Sequence, residues 1–254
     1  MRILVPAALA SGLMAAGAAR AGETACWFEN GAVVVPAEVG GIAGDWLLDP
    51  SAPRTLLHET RAQMEGLPPA FTAPARLAGE TFTGVVVTVA DLDDRAPGFP
   101  TPIAGVIGAD VLARTVADLD FAPCRLRIGG PAPRGGRTLR LTLVGGAPAV
   151  TAAFSDDRRA RRGLFAVTWS ARAAVRVAGA EFRPPRRAGP AGRNLAPGRL
   201  RALSFDGELY EEVTANLADD LDPGLAGALG ADVWRRWRVT LDIRRGRRSC
   251  GRHE

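Results

Sequence analysis

The chain has 254 residues, 47% hydrophobic and 23% charged, which excludes wholesale disorder and leaves room for one large domain or two lobes. Its formal charge of +5 rests on arginine alone, and with no aromatic platform or recognition motif beside the arginine clusters it argues against nucleic acid as a partner. Two histidines, His58 and His253, and three cysteines with no C-x-x-C spacing give no zinc site, so no metal or cofactor is expected.

The first residues read as a separate unit. Arg2 precedes the apolar run ILVPAALASGLMAAGAA, which ends in Ala19-Arg20-Ala21, a small-residue cleavage pattern. Residues 1–21 are therefore expected to be a signal peptide, with a periplasmic or secreted mature chain beginning near Gly22 and no integral membrane span. A lipid anchor at Cys26 fits less well, because Glu23-Thr24-Ala25 lacks the aliphatic residue a lipobox needs. Losing Arg2 and Arg20 leaves +3, that is 5 minus 2. In an oxidising compartment one disulfide among Cys26, Cys124 and Cys250 is expected, and the three pairings stay open.

Next comes AVVVPAEVGG, an apolar strand and a Gly-Gly turn, and then GDWLLDPSAPRTLL, a strand that ends on Asp49 before a Pro-Ser-Ala turn. The GGIAGD stretch at 40–45 is no dinucleotide loop, since a strand rather than a long helix follows it. HETRAQMEG is helix-compatible, with His58 on its surface. ARLAGETFTGVVVTVADL reads as β structure.

Residues 104–120, AGVIGADVLARTVADLD, then recur at 226–242 as AGALGADVWRRWRVTLD, at a constant spacing of 122 residues. Gly105, Gly108, Asp110 and Asp120 return as Gly227, Gly230, Asp232 and Asp242. Ahead of the second copy, PAVTAAFSDDRR and LFAVTWSARAAV answer the first strands, which sets Thr168 over Asp49, and RLRALSFDGELYEEVTANL answers the β-rich segment. The chain is thus a mostly β, internally duplicated protein of two lobes, 22–132 and 133–254. Asp110 and Asp232 are expected to cap short helices, and Asp120 and Asp242 to form turns. Trp234 and Trp237 are expected in the core or between the lobes. Arginine-rich stretches at 156–163, 184–189 and 244–252 read as solvated loops or tail, which an exported protein could offer to an anionic envelope surface.

This order of strands, an apolar-apolar-Asp-x-x-Ala loop, an apolar-apolar-Gly segment, a helix and a strand with a terminal Asp resembles the pepsin and retropepsin type of aspartic peptidase. The resemblance implies a two-lobed acid-protease fold with a central cleft, in which Asp49 is the catalytic carboxylate of one lobe. Val106-Ile107-Gly108 and Ala228-Leu229-Gly230 would brace the two loops. It also implies a chemistry that needs two carboxyls sharing a proton. Thr168 stands where the second would be, and its hydroxyl cannot replace it. Pro50 lacks the hydroxyl and the N–H of the family's residue, Ser51 adds a side chain where glycine is usual, and Trp169 and Ser170 replace the same pair in the second lobe. On this pattern the hydroxyl grip between the lobes is expected to be missing, and Asp49 to be an ordinary, partly solvated acid or a turn cap.

The expected protein is therefore an exported pseudoenzyme that binds an extended peptide, an unfolded protein segment or a partner protein in its cleft. Ser51, Thr168, Ser170 and Tyr210 are the candidate contacts. The alternative is an active aspartic endopeptidase that uses Asp49 with an unidentified or intermolecular second carboxylate, as in retropepsin homodimers.

Overall fold

The computed structural model describes residues 22–95, 98–131, 137–155, 160–179 and 198–252, without the side chains of 247–252. The leader at 1–21, the arginine stretch at 184–189, residues 156–159 of another and His253 lie outside the described residues. No helix among the described residues is long and apolar enough to cross a membrane.

In chain order the first half runs β1 (Gly22–Ala25), β2 (Trp27–Glu29), β3 (Ala32–Val39), β4 (Ile42–Leu48), β5 (Thr55–His58), helix α1 (Glu59–Met64), β6 (Ala70–Leu77), β7 (Glu80–Ala90), β8 (Ile103–Ile107), α2 (Ala109–Leu112), β9 (Ala117–Phe121) and β10 (Cys124–Ile128). The second half runs β11 (Arg137–Arg140), β12 (Thr142–Val144), β13 (Ala147–Ser155), β14 (Ala160–Val167), β15 (Val175–Ala178), β16 (Gly198–Phe205), β17 (Glu208–Ala218), β18 (Leu225–Leu229), α3 (Ala231–Trp234), β19 (Trp237–Asp242) and β20 (Arg247–Arg252).

The two halves fold alike. One seven-stranded sheet has the order β2-β3-β4-β8-β5-β7-β6, and the other has β12-β13-β14-β18-β15-β17-β16, strand for strand the same path. Even the irregularities agree: a register shift between Asp45 and Trp46 on β4 recurs between Leu164 and Phe165 on β14. The Gly40-Gly41 turn, with φ of 61° and 85°, joins β3 to β4 in the left-handed region that favours glycine.

A six-stranded sheet, β1-β10-β9-β19-β20-β11, joins the halves. Its centre is the antiparallel pair β9 and β19, where Asp118 faces Thr240, its own counterpart at the repeat spacing. Asp118 is 6% exposed and is held by the Thr240 hydroxyl at 2.8 Å, by Arg238 through Nε and Nη2, and by Arg127 at 3.8 Å. A buried acid at this point stays satisfied because its donors come from both halves.

The disulfide joins Cys26 to Cys124, settling the open pairing, and Cys250 lies in β20 opposite Arg137. It closes a separation of 98 residues, so it ties the first strands of the chain to the joining sheet.

Candidate functional site

Each lobe ends its β4-type strand inside the core and turns out at the same place. An aromatic residue precedes each turn: Trp46 on β4 and Phe165 on β14 are both fully buried, and each lies against a glycine of the braced strand. A Cβ on Gly105 would sit 2.3 Å from the Trp46 ring and 2.1 Å from Leu56 O; one on Gly227 would sit 2.4 Å from the Phe165 ring and 2.2 Å from Arg176 O. Only a residue without a side chain fits, which explains why these glycines recur.

The braces then hold the loops. Asp49 N–H donates to Ile107 O at 3.0 Å, and Thr168 N–H donates to Leu229 O at 3.1 Å. Asp49 and Thr168 are thereby equivalent residues, as the alignment of the two copies predicts. The loop-side amides repeat the match: Ser51 N–H donates to Asp49 Oδ1 at 2.9 Å, and Ser170 N–H donates to Thr168 Oγ1 at 3.3 Å.

The carboxylate departs from expectation. Asp49 is not a partly solvated acid; its exposure is 0%. Oδ1 accepts from Ser51 N, from the Ser51 hydroxyl at 2.8 Å and from Trp169 N–H at 3.3 Å. Oδ2 accepts from Arg95 Nη2 at 2.9 Å and from the Ser170 hydroxyl at 2.5 Å. Five donors, one of them a guanidinium, satisfy both oxygens as acceptors, the arrangement of a paired carboxylate and not of a free acid. None of the five is another acid.

Two of these donors come from the second lobe, which corrects the expectation of a missing hydroxyl grip. Ser170 supplies the hydroxyl that crosses between the lobes, and Trp169 supplies the amide. Backbone adds a third tie, Val33 N–H to Trp169 O at 2.7 Å, beside a bridge from Ala32 to Ser170. Its counterpart in the other direction would start from Pro148, the residue opposite Leu143 at the start of β13, which has no N–H to give.

Arg95 is the residue that sequence reasoning missed. It lies in the segment between β7 and β8, which is held at several points: His58 Nε2 stands 3.2 Å from Asp93 Oδ1, Asn30 Nδ2 donates to Gly98 O at 2.8 Å, and Thr101 donates its hydroxyl to Asp45. His58 is 9% exposed, not a helix-surface residue. Its Nδ1 accepts from Thr60 N–H at the start of α1, so Nε2 is the nitrogen that carries the proton toward Asp93.

Tyr210 is not brought to this place. It is 7% exposed, packs edge-on against Trp237 at 6.2 Å under the Arg236 guanidinium at 5.0 Å, and donates its hydroxyl to Glu208 at 3.2 Å. Burial, with Glu208 next, pushes the phenol well above its ordinary value. The expected helix caps also shift: Gly108 and Gly230 occupy the cap positions. Asp110 instead takes the Thr55 hydroxyl at 2.8 Å, and Asp232 pairs with Arg235 at 3.2 Å. Asp120 and Asp242 do close turns, accepting from Ala122 N–H and Arg245 N–H. Trp234 and Trp237 are core residues, 0% and 6% exposed.

Between the lobes, beside Asp49, lies a cavity of about 370 Å³ lined by the Ser51 to Arg54 loop, Arg95 and residues of the second lobe. Two like lobes, a joining six-stranded sheet and paired Asp-type loops over a cleft decide the architecture. The fold is that of the pepsin-like aspartic proteinases. The crystal structure of the aspartic proteinase from Irpex lacteus is similar to it at a TM-score of 0.59 and 13% identity, over 92% of this chain and 98% of that one. Neither a protein-family model nor a curated protein matches the sequence. The pepsin-like fold therefore stands on shape, and within it the loop of the first lobe carries Asp49 where that of the second carries Thr168.

Proposed function

We propose that this protein is an exported aspartic-peptidase-like scaffold without peptidase chemistry, which holds an extended peptide or a segment of a partner protein between its lobes. The observation that carries the reading is the state of Asp49, fully buried and accepting five donors, two of them from the opposite lobe. Proton sharing needs a second carboxyl about 3 Å away and a water between the pair. Thr168, the equivalent residue of the second loop, has a hydroxyl instead of a carboxyl, and Arg95 takes the Asp49 oxygen that a reacting water would need.

In this reading Asp49 is a clamp, and Ser51, Thr168 and Ser170 shape the loops around it without touching a ligand through free groups. What is left for function is the cavity beside the clamp, of a size that takes a short peptide segment. Backbone pairing would hold such a segment. Export to the periplasm or beyond belongs to the proposal through the composition of the leader, as does an anionic envelope surface met by the arginine-rich stretches.

Anisotropy of a labelled, unfolded polypeptide, followed by mass analysis of the recovered label, tests the reading. Saturable binding with the polypeptide returned intact is expected. Accumulating fragments, or no saturable binding at all, would refute it.

A further inference from the structure

We infer that the interlobe cavity selects its peptide by charge, seating a carboxylate on Arg54 and a cationic group on Asp222. The inference rests on the reading of the cleft as a peptide site and adds the class of peptide. Five charged side chains line the cavity: Arg54, Arg95, Arg176, Asp220 and Asp222. Three of them are already matched. Arg95 is spent on Asp49 at 2.9 Å, and Arg176 is paired with Asp220 at 2.5 Å.

Arg54 and Asp222 have no ion pair or side-chain hydrogen bond among the described residues, and both are exposed. They come from opposite lobes, one with each sign. Each is presented from a fixed backbone. The Arg54 carbonyl lies against the bracing Gly108, where a Cβ would come within 2.5 Å of it. The Asp222 carbonyl accepts Leu225 N–H at 3.1 Å.

Gly145 fixes where the Asp222 carboxylate lies. The turn between β12 and β13 carries Gly145 at φ 59° with the carboxylate against it, a Cβ there falling 2.1 Å from Asp222 Oδ2, and the next residue, Gly146, sits against Pro53 of the first lobe. Apart from these charges the lining is mainly apolar, with Leu56, Leu221 and Leu225 beside Ala147, Ala166 and Ala228. Such a lining suits an extended, mainly apolar segment. A peptide carrying one acid and one base then completes both unpaired charges at once, and a carboxylate can come from a side chain or from a free C-terminus.

The test is anisotropy with labelled alanine-rich octapeptides: one with Glu and Lys, one with Gln at both places, one with each single change, and the neutral peptide with a free or an amidated C-terminus. The Glu and Lys peptide should bind roughly five- to tenfold tighter than the neutral one, the effect of two partly exposed ion pairs. Arg54→Gln should make binding indifferent to Glu against Gln, and Asp222→Asn indifferent to Lys against Gln, with circular dichroism unchanged because both side chains are exposed. A difference between the free and amidated ends that Arg54→Gln removes would assign the carboxylate to a chain terminus. Equal binding of charged and neutral peptides, or a Glu preference that survives Arg54→Gln, overturns the inference and leaves the peptide cleft standing. If no peptide of either kind binds, both fall.

Discussion

An acid at the end of a hydrophobic strand is stable in the dry only with a cation and a full set of donors, and Asp49 has Arg95 and four further donors. Removing one member of the central pair leaves its partner unmatched, Asp49 fully buried and Arg95 about a third exposed. Asp49→Ala is therefore expected to lower the unfolding free energy by about 3 to 5 kcal/mol in urea denaturation, and Arg95→Ala by a similar amount. The double variant should lose clearly less than the sum, since the two residues share one interaction; additive losses would show that the pair is not coupled. Tyr210 offers a second test at this scale, because it is the chain's one tyrosine and phenolate absorbance reports it alone. Its folded pKa is raised, so the stability tied to the protonated phenol is present below the ordinary tyrosine range and is lost as pH rises through the folded value. Phenolate should appear only well above that range or together with alkaline unfolding; titration at the ordinary tyrosine value in folded protein would contradict the burial. Asp49 itself was legible as a strand-terminal carboxylate beside Ser51. Arg95 was not, because it lies 46 residues away in a stretch without periodicity, and nothing local marks which arginine will be drawn inside.

At the scale of elements, the two copies of the IGADV-type segment owe their likeness to contact and not to turn geometry. Gly105 and Gly227 lie within strands β8 and β18, with an aromatic ring on one side and a carbonyl of the next strand on the other. Gly105→Ala and Gly227→Ala are each expected to cost about 3 kcal/mol, the upper end for overpacking, because the nearest atom is backbone and cannot rotate away. Gly41→Ala is the control: its φ of 85° strains an alanine, but nothing lies within 4 Å, and a cost of about 1 kcal/mol is expected. Thermal or urea melts check all three, and equal losses would refute the packing argument. The repeat spacing made these elements readable. The cap positions were misjudged by two residues, since the acid in the first turn resembles a cap in sequence while the bracing glycine in fact holds that position with its backbone.

For the whole molecule, duplication was legible because 122 residues separate two gapless copies, and the joining sheet keeps that symmetry through Asp118 and Thr240. The junction over the cleft breaks it. There one half contributes a carboxylate and an arginine and the other a serine hydroxyl and the amide of a tryptophan, so the interaction that ties the two loops also occupies both oxygens of Asp49. How the halves meet could not be read from either copy alone, because Ser170 and Trp169 acquire their roles only when the second loop is laid against the first. Digestion of an unfolded protein by the wild type and by Asp49→Asn, from acid to neutral pH with and without pepstatin, tests this most directly. Neither protein should produce fragments at any pH. Pepstatin-sensitive cleavage by the wild type that Asp49→Asn abolishes would show the carboxylate free to react, and the clamp would then be the wrong description.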